Sequence, residues 1–215
     1  MSARDEILRA VRAARHATFG AEVPPLPSLP TEGEWPGAAD HARPTRAALV
    51  ERFTASAQGA AARVVRTNRS GLSSLVSSVL ESLHLPSDHG RAPAVLSMVD
   101  GVASTMTIPE DPHDLASLDL FVCEGVLGVA ESSAIWLPTS RLGQRAALVL
   151  ATEVVVVLET SAIVADLNAA YAAVDVGREA FGLFLAGPSK TADIEQSLVI
   201  GAHGAKGLTV ALVDG

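Results

Sequence analysis

Cysteine is nearly absent: Cys123 is the only one in 215 residues. A disulfide framework is therefore excluded, because Cys123 has no partner in the chain. A cysteine-ligated iron–sulfur cluster or a cysteine-rich zinc site cannot be built from this chain alone, for the same reason. Lysine is scarce too, with only Lys190 and Lys206. Base is outnumbered, 16 Lys and Arg against 24 Asp and Glu, for a net charge of −8. Phosphate backbones are held by clustered Lys and Arg, so this balance argues against a nucleic-acid partner. Long apolar runs are missing as well. The longest, Ala146 to Leu158, is broken by Thr152 and Glu153 and is too short to cross a bilayer. At the N-terminus Arg9, Arg12 and Arg15 interrupt any signal-peptide core, with Asp5 and Glu6 ahead of them. The expectation is a soluble cytoplasmic protein without a membrane span.

What is present points to a folded α/β chain. Hydrophobic residues make up 48% and charged residues only 19%, which excludes disorder over the whole length. One domain, or one domain with an arm, suits the length, and a compact chain of this size buries roughly 70% of its unfolded surface without needing a disulfide or structural metal. Ser2 to Ala17 reads as a helix, with Ser2, Asp5 and Glu6 as start signals and Ile7, Leu8, Val11 and Ala14 on one face. Such a helix packs on its own domain or on a sister subunit, so a homo-oligomer is allowed. Phe19 to Pro44 carries six prolines, which exclude a regular helix or a central strand. Residues 1–44 are thus expected to be a helix and proline-rich connector, and 45–215 an α/β domain.

From Thr45 onward, strands and helices alternate. Helices are expected over Arg46–Gln58, Gly71–Leu83, Ser161–Val174 and Thr191–Ile200. Strands are expected over Ala62–Arg66, Ala94–Val99, Phe121–Leu127, Ala134–Leu137, Val154–Leu158, Leu183–Ala186 and Leu208–Val213. Val154–Leu158 is apolar without alternation, the mark of a strand buried on both faces. This order predicts a three-layer α/β fold with a mainly parallel sheet.

Three segments carry the polar chemistry. Gly187-Pro188-Ser189-Lys190-Thr191-Ala192-Asp193 follows a strand and is expected to open a helix. A helix N-terminus presents free backbone N–H groups, so Ser189, Lys190, Thr191 and Asp193 are candidate ligand contacts for an anion. An ordinary capped turn would use the same residues. Gly201-Ala202-His203-Gly204 forms a glycine-rich turn, with His203 a candidate acid/base and Gly204 allowing close backbone approach. Glu131-Ser132-Ser133 lies between two apolar stretches, after Gly125 and Gly128. Glu131 is the candidate catalytic carboxylate, and Ser132 and Ser133 are candidate ligand contacts at a sheet edge; a solvated loop is the alternative. Cys123 reads as a buried, inert thiol. His84, Asp88 and His89 fall in a turn with Pro86 and Gly90, and no metal site is expected.

Taken in order, these segments resemble the lactate-utilisation protein C (LutC-like) family, whose members carry the LUD domain. The match is carried by G-P-S-K-T-A-D-I-E-Q-S-L-V-I-G-A-H-G, Gly187 to Gly204, followed by the strand Thr209 to Val213. Glu131 with Ser132 and Ser133 stands at the family's acidic-Thr-Gly-Thr loop, and Arg141 resembles the arginine after it, which adds Arg141 to the candidate ligand contacts. The resemblance implies a domain like those of ribose-5-phosphate isomerase, glucosamine-6-phosphate deaminase and the CoA transferases. It also implies an accessory, non-redox part in oxidising L-lactate to pyruvate, with an iron–sulfur subunit and a further subunit as partners and no cofactor of its own. A second implied class is a small-molecule enzyme or sensor binding a phosphate or carboxylate. The chain departs from the family pattern at three places. Ser132-Ser133 replaces Thr-Gly, Ala205 replaces the Pro after His-Gly, and Ala151-Thr152-Glu153-Val154 replaces Pro-x-His-Ile.

Overall fold

The computed structural model describes residues 4–10, 44–83, 91–175, 179, 181–191 and 198–214. The chain divides into two compact units, Met1–Ala42 and Arg43–Gly215. In the first, residues 4–10 are helical (α1). The remainder of the expected Ser2–Ala17 helix and the connector up to residue 43 lie outside the described residues, as do His84, Asp88 and His89.

In the second unit, helix α2 (Arg46–Gly59) starts where Thr45 accepts the Ala48 N–H. Strand β1 (Arg63–Thr67) and helix α3 (Leu72–Ser82) follow, then β2 (Val95–Ser97) and β3 (Leu120–Glu124). The chain continues through β4 (Leu127–Val129), β5 (Ile135–Pro138), α4 (Ala147–Leu150) and β6 (Glu153–Glu159). Next come β7 (Ile163–Val164), α5 (Leu167–Ala173), β8 (Gly182–Leu185), β9 (Lys190–Thr191), β10 (Val199–Ile200) and β11 (Gly207–Val213).

Five strands form a parallel sheet in the order β1-β11-β6-β3-β2. Its two faces enter two separate cores, with the period of two that a pleated strand dictates. Along β6, Val155 and Val157 pack beneath α3 with Leu72, Val76 and Val79. Val154, Val156 and Leu158 point the other way, onto Leu49, Val50 and Phe53 of α2 and Ile135, Leu137 and Ile163 of a second sheet. The second sheet is mixed, ordered β7-β4-β5-β8. Its other face holds Leu127, Val129 and Trp136 against Ala170 of α5. The expected α/β architecture with a mainly parallel, doubly covered sheet is the one found. Among the described residues no helix is long and apolar enough to cross a membrane.

Three local expectations change. Phe121–Leu127 is two strands, one in each sheet, with the break at Gly125. A Cβ there would overlap Ile135 and crowd Val156, so the chain can pass between the sheets only as glycine. Ser161–Val174 opens in a 3-10 turn (Thr160–Ala162) followed by strand β7, and α5 starts later, capped by Asp166, which accepts the Ala169 N–H at 2.8 Å. The Arg46 guanidinium donates to the carbonyls of Thr160 and Ile163, tying this segment to α2. The ends of Thr191–Ile200 are not helical: Thr191 pairs with Val199 and Lys190 with Ile200 in an antiparallel β9–β10 pair.

Candidate functional site

The singled-out residues fall in three places. Glu131, Ser132 and Ser133 form the tight turn joining β4 to β5, closed by the Val129 N–H donating to Ala134 O at 2.8 Å. Ser133 is buried with φ of +56°, a left-handed conformation that favours glycine. Its hydroxyl donates to Ser132 O at 2.6 Å. The resemblance places Gly at this position, and the backbone keeps a glycine-like shape with serine in it. Glu131 is exposed and accepts the Leu167 N–H at 3.0 Å, at the first residue of α5. Ser56 Oγ donates to Ala130 O at 2.9 Å and Glu131 O at 3.3 Å, anchoring the turn to α2.

The second place is a cleft of about 240 Å³ below the start of β6 and β11. Ser189, His203 and Gly204 line it, with Leu148, Val154 and Leu185 among its apolar walls. Its backbone is tightly set. Ser189 donates its N–H to Ala205 O at 3.0 Å and accepts the Gly201 N–H at 2.8 Å. Gly187 has φ of +74°, and a Cβ there would overlap Ala60 O. A Cβ on Gly204 would lie 3.0 Å from Ser189 Cβ. Thus the His-Gly turn and the Gly-Pro-Ser turn, expected at opposite ends of one helix, press on each other. Glu131 and Arg141 are not among the lining residues. Lys190 is exposed on β9 and Thr191 follows it in the strand, so neither lies within a helix. Asp193 lies outside the described residues.

The third place is the carboxyl edge of the parallel sheet, where open α/β sheets hold their ligands, and of the singled-out residues it contains only Arg141. Arg69, just after β1, reaches over the sheet to the ends of β3 and β6. Its guanidinium donates to Glu159 Oε1 at 2.7 Å and to Glu124 Oε1. Arg141 approaches the other oxygen of Glu124 at 3.5 Å. Glu159 Oε2 is buried without a hydrogen-bond partner among the described residues. The two carboxylates hold the Arg69 pKa above its usual value, Glu124 foremost. The sequence signal was a charged residue closing each strand, which becomes a cluster only once β1, β6 and β3 are known to share a sheet.

At the opposite edge, Glu153 occupies the position of the family's missing histidine. Thr209 Oγ1 donates to Glu153 Oε1 at 3.1 Å and accepts from Arg63 Nε at 3.2 Å. Burial pushes the Glu153 carboxyl up, opposed by the Thr209 hydrogen bond and by the Arg63 charge. Cys123 is fully enclosed in β3, and burial, aided by Glu124, pushes its thiol up to about 12. Among the described residues no group of three or more His, Cys, Asp or Glu is placed to hold a metal ion.

The sequence model of the LUD domain matches residues 57–213, which span every strand of the parallel sheet. No curated protein matches the chain. The crystal structure of a DUF162 family protein from Deinococcus radiodurans is similar in fold, with a TM-score of 0.53 at 18% identity. That likeness covers 80% of this chain and 99% of the other. With its domain matched from the end of α2 to the last residue of β11, the chain belongs to the LUD domain family.

Proposed function

We propose that this chain is an accessory, non-redox component of a lactate-utilisation system, acting beside an iron–sulfur subunit in the oxidation of L-lactate to pyruvate. The observation that carries the reading is the LUD domain match over residues 57–213, a family associated with lactate utilisation. The chain's cysteine content supports the division of labour. Its one thiol, Cys123, is buried in β3 and is held protonated, so cysteine ligation of a cluster falls to another subunit. The test is reconstitution. The purified chain and the iron–sulfur subunit should co-elute at micromolar concentration, and lactate-dependent electron transfer should require the chain. Separate elution, with full activity in its absence, would overturn the reading.

A second reading, a small-molecule enzyme or sensor, is favoured by one specific observation: Ser189, His203 and Gly204 line a single cleft.

A further inference from the structure

A second pocket, sharing no lining residue with the Ser189–His203 cleft, opens beside the mixed sheet near the end of α5. Trp136 of β5 supplies an apolar wall, and its ring is held in place: a Cβ on Gly182 would overlap the indole, and the Phe184 ring packs with its centroid 4.9 Å away. Val126 and Pro138 extend this wall. Two groups of opposite charge line the same pocket, Arg141 and Glu179, with Asp175 as a second acid. Arg141 and Glu179 do not pair with each other. The ion pair of Arg141 is with Glu124, at a loose 3.5 Å, and 55% of its side chain is exposed. The Glu179 carboxylate is held by Ser140, whose Oγ donates to Oε1 at 2.8 Å and whose N–H donates to Oε2 at 3.3 Å. Ser140 and Arg141 are successive residues of the 3-10 turn after β5 (Thr139–Arg141), so the two charges are neighbours with no ion pair between them. Neither can exchange its role, because a guanidinium only donates and an ionised carboxylate only accepts. A ligand that satisfies both carries an anionic acceptor and a cationic donor close together. The Trp136 wall calls for an apolar body. The volume, about 330 Å³, is at the lower end of the roughly 300–1,000 Å³ of small-molecule sites, which suits one small zwitterion.

We infer that this pocket binds a free amino acid with an apolar side chain, its α-carboxylate on Arg141, its α-ammonium on Glu179 and its side chain against Trp136. A zwitterion also approaches a protein of net charge −8 without the repulsion that a simple anion meets. Binding here is independent of the lactate system and of the Ser189–His203 cleft.

Isothermal titration calorimetry on the full chain tests this, with leucine, phenylalanine, glycine, 4-methylpentanoate and 3-methylbutylamine as probes. Leucine or phenylalanine should bind saturably, and glycine about tenfold more weakly, because it buries no side chain. 4-Methylpentanoate is leucine without its ammonium and 3-methylbutylamine is leucine without its carboxylate. Each should bind about tenfold more weakly than leucine, the scale of one charge-assisted hydrogen bond. Arg141→Gln should weaken leucine about tenfold and leave 3-methylbutylamine unchanged, whereas Glu179→Gln should weaken leucine and leave 4-methylpentanoate unchanged. Both variants should keep the wild-type circular dichroism and melting temperature. No saturable binding of leucine or phenylalanine would overturn the inference, without touching the lactate-system reading, which is judged by co-elution. 4-Methylpentanoate or 3-methylbutylamine binding as tightly as leucine would overturn the zwitterion. Leucine affinity unchanged in both variants would place binding elsewhere and overturn the site.

Discussion

Glu131 accepts the backbone N–H of Leu167 at 3.0 Å, so the residue that turns β4 into β5 also caps α5. The first N–H groups of a helix have no partner within it, and a carboxylate there satisfies one and complements the helix dipole. Asp166 does the same for Ala169. Glu131→Ala should therefore cost about 1 kcal/mol in urea unfolding, and Glu131→Gln clearly less, since an amide oxygen still accepts. Equal stability of all three proteins would show that the bond contributes nothing.

Ser133 and Gly187 share a left-handed backbone but bear opposite residues for it. A non-glycine residue in that conformation costs roughly 1–2 kcal/mol, against a glycine entropy penalty of roughly 0.5–1 kcal/mol. Ser133→Gly is expected to raise stability by up to about 1 kcal/mol. Gly187→Ala is expected to lower it by more than about 2 kcal/mol, because the new methyl also meets the Ala60 carbonyl. Thermal melts of the two variants should move in opposite directions.

Cys123, with its thiol pushed up to about 12, should resist modification. A thiol-reactive disulfide reagent at mildly alkaline pH should leave the native protein unlabelled and label it fully in guanidinium. Rapid labelling of the native protein would contradict the burial described.

Glu153 makes stability depend on pH. Its folded-state pKa is raised by burial, so the folded state holds the proton more tightly than the unfolded chain does. The stability it contributes is full below the ordinary glutamate range and is lost as pH rises from there through the raised value. Glu153→Gln keeps an acceptor for the Thr209 hydroxyl and carries no charge. At neutral pH the variant should unfold at higher urea than wild type, and the gap should close on acidification through that window. A gap of constant size, or of opposite sign, would show that Glu153 is not penalised by its site.

Arg69 spans two strand ends, yet about half of its side chain is exposed, so solvent screens its pairs. Arg69→Met should cost about 1 kcal/mol at low salt and less at high salt. A loss that does not respond to salt would show packing of the arginine stem to be the larger effect.

Local pattern in the sequence sufficed for the doubly covered parallel sheet, though not for the second, mixed one. The unalternating Val154–Leu158 run demands cover on both sides, and it lies third of five in the sheet, between the α2 and α3 cores. Thr45, Gly71 and the apolar spacing after them fix α2 and α3 nearly to the residue. The elements misread were those whose form is set from outside. Gly125 breaks a strand because Ile135 leaves it no room, and Ile163-Val164 is extended because β4 offers a parallel partner. Lys190-Thr191 is extended because β10 pairs with it.

The same division holds for the chemistry. Sequence alone determined that one cysteine cannot hold a cluster, because composition is a property of the chain, and it was the family resemblance that joined Ser189, His203 and Gly204 in one motif. Only the tertiary structure decided that this motif folds around a small apolar cleft, that Glu131 serves a helix instead of lining it, and that Arg69 meets Glu124 and Glu159. Those outcomes depend on which strands become neighbours, and strand order is settled by burial summed over the whole sheet, which no short window of sequence contains.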